Sequence, residues 1–477
     1  MTISFIITII TFLLLSRGVA CQPLRRQAQD DLGLSDGIWT FRGYGYALSV
    51  NTGTVTAFEE TDISCIANPL LLMAITGVEA KDDVANVTAY RFVPYFVLDR
   101  TDSFQAACAN GLTPVVSDTD YTRDALVDFD VLDQTFVENF AHFDSRLMDG
   151  MSEWVMKTLE VRANLTSNST DQELVSAFES LLVPLDDYHT WVGNDKGPLV
   201  WSHEFLWEFQ EEFEKQTAIG DWETYQQDMI ITPWRENAAG YMKDGLNIAP
   251  SGLAWGRTNE SNIGYLFLTT IPNDMFAFAL DFEAALSALD DTDTIVIDIR
   301  VNQGGSDETA LLITSHFASE PFLAFTKQAV GGDVVEVYVE PSEKVYNGPV
   351  IMIISQSSYS AAETLPLAMM QLPQTTLLGR NTGGSYSELP KTLPNGWAFS
   401  FFAEVYLSPD GVDYDQVGIP PEISPEAELL PLSERETGVD SWLELALKTA
   451  EDSATSDAAK AHDWSLLCFT SFIYLVV

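Results

Sequence analysis

One run of uninterrupted apolar residues constrains the fold more than any other: Val350-Ile-Met-Ile-Ile354, framed by Pro349 and a small polar loop. With no polar alternation the run has no side to offer solvent, so it reads as a strand buried on both faces. Ser360-Ala361-Ala362-Glu363 then opens a helix. The same alternation recurs from residue 263 onward. Strands are expected at 264–269, 294–299, 350–354 and 375–378, and helices at 275–289, 307–317 and 360–371. Strands alternating with helices imply parallel pairing through right-handed crossovers. Pro394-Asn395-Gly396 marks a turn between later strands.

The preceding chain reads differently. Residues 33–115 carry short alternating strands, such as Trp39 to Val50 followed by the turn Asn51-Thr52-Gly53, and are expected to form a small β domain. Residues 119–200 form a segment carrying His189 that is expected to be helical from 119 to 185. Phe136, Phe140, Phe143 and Leu147 recur at helical spacing, as do Leu174, Phe178 and Leu181-Leu182; helix core explains these aromatics better than a ligand box. Residues 201–255 form an aromatic-rich connection, 256–432 the α/β core and 433–452 a final helix.

The chain has 477 residues and a formal net charge of −46, from 70 acidic and 24 basic residues. That balance argues against a nucleic-acid partner, whose phosphates need Lys and Arg. Residues 1–20 read as a secretory signal, with an apolar stretch at 3–15 and small residues Gly18-Val19-Ala20 before Cys21. Sequons at Asn86, Asn164, Asn168 and Asn259 agree with a secreted glycoprotein. Among the four cysteines, Cys65 and Cys108 are the expected disulfide pair, and no cysteine spacing resembles a metal site. Residues 453–477 join a small triplet, a polar spacer and an apolar end. That is the pattern of a glycosylphosphatidylinositol attachment signal, with a docked hydrophobic terminus as the alternative. The expected location is extracellular, with a lipid anchor as the only membrane contact.

Ser360 sits where a strand gives way to a helix, and the first backbone N–H groups of a helix are unpaired. Such groups can hold an oxyanion, although serine is also a favoured N-cap. A serine nucleophile needs a base. Of the five histidines, His142 and His316 lie in apolar helical settings, and His203 starts an aromatic, acidic stretch. His462 falls in the terminal segment. His189, in Asp187-Tyr188-His189-Thr190, is polar and loop-borne beside carboxylates. Asp298-Ile-Arg300-Val-Asn-Gln-Gly304-Gly305 ends a strand in paired glycines, which let backbone amides approach a ligand closely.

These segments, in this order, resemble the S41 peptidases, the tail-specific and C-terminal-processing proteases together with tricorn-core and retinoid-binding-protein-like relatives. The matching stretches are 187–190, 294–305, 360–363, 378–384 (Leu-Gly-Arg-Asn-Thr-Gly-Gly), and 410–411 leading to 418–422. The resemblance implies a core of ClpP/crotonase-like βαβ units, a protein or peptide substrate and no metal or cofactor. One branch uses a Ser–Lys dyad, but the lysine position holds Ser385, with Lys391 nearby in sequence. The tricorn-like branch uses a Ser–His pair, which maps onto Ser360 and His189. That mapping makes Asp415 the group that orients His189, assisted by Tyr188. Backbone N–H groups of Gly304 or Gly305 and of Ala361 are the expected oxyanion donors. Asp298 and Arg300 are expected to brace the glycine turn, and Glu363 to stabilise the helix start. The implied protein is a secreted serine endopeptidase acting through an acyl-enzyme. The alternatives are a non-catalytic binder of hydrophobic ligands and a decayed pseudo-protease.

Overall fold

The computed structural model describes residues 32–452, apart from short stretches at 69–70, 72–74, 76, 89–93, 102, 204–206, 217 and 260–261. The proposed leader and C-terminal attachment signal therefore lie outside the described residues. So do Cys21, Cys468 and His462.

The N-terminal strands are β1 (Gly37–Phe41), β2 (Tyr46–Asn51), β3 (Thr54–Glu60), β4 (Cys65–Ala67), β5 (Gly77–Lys81), β6 (Val84–Thr88) and β7 (Pro94–Thr101). They form one antiparallel sheet in the order β4-β3-β2-β1-β7-β6-β5. Alternation sets its faces: Trp39 and Phe41 are buried, and the intervening Thr40 is half-buried. Thr52 and Gly53 both take positive φ, 48° and 76°, which suits the tight turn joining β2 to β3. Cys65 and Cys108 form a disulfide with a Cα–Cα separation of 4.8 Å.

Three longer helices follow: α1 (Ala125–Asn139), α2 (Met151–Arg162) and α3 (Asp171–Leu182). Asp124 caps α1 by accepting from the N–H groups of Leu126 and Val127, and Thr170 with Glu173 forms a capping box on α3. Phe136, Phe140, Phe143, Leu174 and Phe178 are buried, and Phe136 stacks on Trp154 with ring centroids 4.9 Å apart. The helical stretch stops at Leu185. Beyond it, β8 (Trp191–Asn194) and β9 (Gly197–Trp201) form a hairpin that the sequence reading did not assign. This hairpin pairs with strands from far along the chain, β18 (Leu389–Thr392) and β19 (Ala398–Phe401), in the order β18-β19-β8-β9. The pairing carries the loop before β8, and with it His189, to the segment that leads into β18, where its ring meets Ser385.

The core sheet has the order β10-β11-β12-β13-β16-β17. Its members are β10 (Asn247–Ile248), β11 (Ala254–Arg257), β12 (Ile263–Phe267), β13 (Thr294–Asp298), β16 (Val350–Ile354) and β17 (Thr375–Gly379). The four from β12 to β17 run parallel, and every residue of β13 and β16 is buried. The crossover helices include α4 (Met275–Leu289), α5 (Asp307–Ser315) and α6 (Ala361–Met369). A three-stranded sheet, β15 (Val335–Val339), β14 (Phe322–Ala329) and β20 (Glu404–Leu407), completes this part. The aromatic-rich connection packs as core: Trp234 is fully buried, its ring 4.1 Å from that of Phe267.

Candidate active site

Ser360 stands at the junction of the loop after β16 with α6, at φ 62° and ψ −132°. Positive φ is costly for a residue with a Cβ and persists only where the surroundings impose it. They do so here. Ser358 Oγ donates to the Ile299 carbonyl at 2.8 Å, Ser355 Oγ donates to that of Arg300, and Tyr359 N–H donates to that of Asn302 at 3.3 Å. The Ser360 side chain makes no capping hydrogen bond. The helix-cap reading of this serine therefore fails, and among the described residues its hydroxyl is unspent.

The glycine turn lies against it. A Cβ on Gly304 would come within 2.5 Å of Ser360 Cβ and 2.8 Å of Ala361 N, and one on Gly305 within 1.6 Å of the Ile271 carbonyl oxygen. Only glycine fits either place. Gly304 N–H donates to Asn302 Oδ1 at 2.8 Å, so it is not an oxyanion donor, which corrects one expectation. Among the described residues, the N–H groups of Gly305 and Ala361 have no acceptor.

His189 is buried in the turn before β8. Its Nδ1 lies 2.7 Å from Ser385 Oγ, and Ser385 Oγ donates to Asp187 Oδ1 at 3.0 Å. Asp187 also accepts from His189 N–H at 3.0 Å and from Thr190 Oγ1 at 2.6 Å. A hydroxyl carries one proton and a carboxylate only accepts. Ser385 spends its proton on Asp187, so Nδ1 must be the protonated nitrogen of His189. That leaves the Nε2 lone pair free, the tautomer a general base requires. Burial lowers the His189 pKa below its ordinary value, against the opposing pull of Asp187 and Glu388, which keeps the ring neutral. Ser385 also ties His189 to the serine, because its carbonyl accepts from Ser360 N–H at 2.7 Å. Among the described residues, no hydrogen bond joins Ser360 Oγ directly to His189.

Other expected residues sit elsewhere. Asp415 does not touch His189. It pairs with Arg146 through both carboxylate oxygens and lies 3.1 Å from His142 Nδ1, in a buried cluster that holds its carboxyl below the usual range. The late acidic residue was captured by a nearer cation. Tyr188 stacks on Tyr359, with ring centroids 5.2 Å apart, and lies 4.2 Å from the His203 ring, so it walls the site rather than orienting the base. Glu363 does not serve its helix start. It accepts from Thr382 Oγ1 and from the N–H groups of Gly384 and Ser385. It thereby fixes the loop that carries Ser385. Burial pushes its carboxyl up to about 8, against the three donors, which pull it down. Asp298 and Arg300 form a buried pair, and Arg300 also reaches Asp440 at 2.7 Å. They anchor the strand beneath the glycine turn to Asp440. Asn86, Asn164, Asn168 and Asn259 are exposed.

Ser385 was not assigned as a site residue from sequence. The available signal was its place where the dyad branch carries lysine: a position facing the nucleophile stays functional when its residue type changes. Ser360 opens onto a cleft of about 410 Å³ between the core and the N-terminal sheet, which contributes Tyr44 and Phe96. The β domain thus forms one wall of the site.

Residues 262–424 match the family model of Peptidase family S41, a segment that contains Ser360, Gly305 and Ser385 but not His189. A carboxy-terminal-processing protease of Bartonella bacilliformis is 28% identical over 189 residues, which are 38% of this chain and 42% of the relative. A chloroplastic C-terminal processing peptidase of Tetradesmus obliquus is 23% identical over 187 residues, 39% of each chain. The chain therefore spans about two-fifths of the length of these curated relatives. Among solved structures, a candidate peptidase from Parabacteroides merdae superposes with a TM-score of 0.54 at 21% identity, over 69% of this chain and 97% of the other. That likeness is one of fold.

Proposed function

Given that residues 262–424 match Peptidase family S41, we propose that the chain is a serine-type endopeptidase of that family in which Ser360 is the nucleophile and His189 the base. Ser360 Oγ attacks the scissile carbonyl carbon while His189 Nε2 takes its proton. The N–H groups of Gly305 and Ala361 stabilise the oxyanion; one such donor is typically worth about a hundred- to a thousandfold in rate. The tetrahedral species collapses, the C–N bond breaks, and His189 returns the proton to the departing amine. Water then hydrolyses the acyl-enzyme by the same base. Through this cycle Ser385 and Asp187 hold the Nδ1 proton in place. They replace both the lysine of the dyad branch and the late acidic residue of the tricorn-like branch.

One observation carries this reading. An unspent serine hydroxyl at positive φ lies beside two unpaired backbone N–H groups and is tied to a neutral histidine through Ser385. The names of the curated relatives support peptide-bond hydrolysis as the reaction. We place the enzyme outside the cytoplasm. The disulfide and the four exposed sequon asparagines support that location. The test is labelling of purified full-length protein with a fluorophosphonate, comparing wild type with Ser360→Ala and His189→Ala. Wild type is expected to label, Ser360→Ala not at all, and His189→Ala at least a hundredfold more slowly. Folded wild-type protein that stays unlabelled refutes the assignment.

A further inference from the structure

Two loops must meet for the base to work. One carries Asp187 and His189, the other Ser385, and Asp187 and Ser385 are 198 residues apart in sequence. A single side chain grips the backbone of both loops. Arg146 ends the short helix Phe143–Arg146, and its side chain is only 3% exposed. Its Nη1 donates to the Asp186 carbonyl, part of the peptide bond that leads into Asp187. Its Nη2 donates at 3.4 Å to the Gly384 carbonyl, part of the peptide bond that leads into Ser385. The guanidinium therefore spans the two peptide groups that immediately precede the Asp187–Ser385 hydrogen bond.

Both gripped residues have left-handed backbone. Asp186 takes φ 50° and ψ 52°, and Gly384 takes φ 73°. Glycine adopts this conformation at little cost, whereas at Asp186 it needs support from the surroundings. Asp415 fixes the guanidinium in turn, accepting from Nε at 3.1 Å and from Nη2. Its carboxylate is held from elsewhere by His142 Nδ1 at 3.1 Å. Gln416, next along the chain, donates its N–H to the same Gly384 carbonyl at 3.0 Å and its side-chain amide to the Ser145 carbonyl at 2.9 Å. Burial works against the guanidinium charge, and the carboxylates of Asp187 and Asp415 more than offset it, which lifts the Arg146 pKa. Four acceptors thus share one planar fork: two carboxylate oxygens and two loop carbonyls. Arginine offers donors on three nitrogens in fixed directions, and lysine offers one nitrogen at one point. A lysine can pair with Asp415 but cannot hold both loops as well.

Given the proposed Ser360–His189 chemistry, we infer that Arg146, clamped by Asp415, is a positioning residue: it sets the Asp187 and Ser385 loops in register so that the Ser385 hydroxyl meets His189 Nδ1. Asp415 then serves the base at one remove, through Arg146 rather than through the imidazole.

Arg146→Lys keeps the charge and an ion pair with Asp415, and so separates the grip on the loops from folding. The assay is hydrolysis of a fluorogenic peptide by purified full-length protein, with kcat expressed per site titrated by fluorophosphonate. In Arg146→Lys, kcat should fall about 10- to 100-fold, the scale of a small misplacement of a catalytic group, with KM within about twofold of wild type. In a Ser385→Ala background the same substitution should cost less than about threefold, because the contact it serves is already gone. Arg146→Ala should regain part of its lost kcat when guanidinium chloride is added at sub-denaturing concentration, and none with sodium chloride at equal ionic strength. Wild-type kcat in Arg146→Lys, or an equal loss in both backgrounds, overturns the positioning role and leaves the catalytic pair standing. Folded wild-type protein that fluorophosphonate does not label overturns both.

Discussion

Ser385→Ala isolates the feature that distinguishes this site. The backbone of Ser385 keeps its own contacts in the variant: its carbonyl still accepts from Ser360 N–H at 2.7 Å, and its N–H still donates to Glu363. Only Oγ is lost, and with it the 2.7 Å contact to His189 Nδ1 and the 3.0 Å bond to Asp187 Oδ1. Asp187 retains His189 N–H and Thr190 Oγ1, so its carboxylate stays partly satisfied. The imidazole fares worse. In the transition state it becomes imidazolium, and a hydrogen bond to a charged group contributes about 1.5–3 kcal/mol. At about 1.4 kcal/mol per tenfold, kcat should fall roughly 10- to 150-fold with KM nearly unchanged, since the hydroxyl touches the base and not the substrate. Folding stability should fall by about 1–3 kcal/mol for the groups left unpaired, measurable by urea denaturation. Steady-state kinetics on a fluorogenic peptide, with Ser360→Ala as the zero, supplies the assay. A Ser385→Ala enzyme within twofold of wild type in kcat refutes the Asp187–Ser385–His189 arrangement as a working unit.

The acid limb of kcat/KM should have its midpoint below about 6.5, because burial lowers the pKa of His189 and protonation there removes the base; a midpoint above 7 contradicts this assignment. Gly304→Ala should cut fluorophosphonate labelling by at least about a hundredfold, since its Cβ would lie 2.5 Å from that of Ser360 at a backbone φ of 88°; labelling at the wild-type rate would show that the turn does not abut the nucleophile. Glu363 has a folded pKa of about 8 against an ordinary 4.5, so the fold holds a proton that the unfolded chain has released. Its contribution is fully present below pH 4.5 and declines as pH rises toward 8. Glu363→Gln should therefore match wild-type stability to about 1 kcal/mol at pH 6 and abolish that slope, whereas Glu363→Ala should lose about 2–4 kcal/mol. A glutamine variant as unstable as the alanine one would mean the carboxylate is ionised.

Much of the core was legible because its signals are local. The apolar run of β16, the strand and helix periods around it and the glycine pair at 304–305 each encode a conformation within a few residues. The helical aromatics behaved as their spacing requires, with Phe136 and Phe178 fully buried. The strands at 191–201 were not legible. Their hairpin is stabilised by pairing with β19, and a short edge segment carries little period of its own. The orienting group of His189 was misplaced for a related reason. Asp187 stands two residues away, within the same motif, but works through a hydroxyl 198 residues downstream of itself.

The sequence by itself determined that a serine would sit at a strand-to-helix junction beside a glycine turn, and that 263 onward would build a parallel sheet. Hydrophobic periodicity and glycine conformation are written residue by residue. Tertiary structure alone decided which polar groups meet. Arg146 and His142 lie on the helical side of the chain and claim Asp415, while the loop held by Glu363 delivers Ser385 to His189. Hydrogen bonds and ion pairs act over about 3 Å, so a partner is chosen by position in space. Several carboxylates were eligible along the chain, and folding set Asp187 on His189 through the Ser385 hydroxyl.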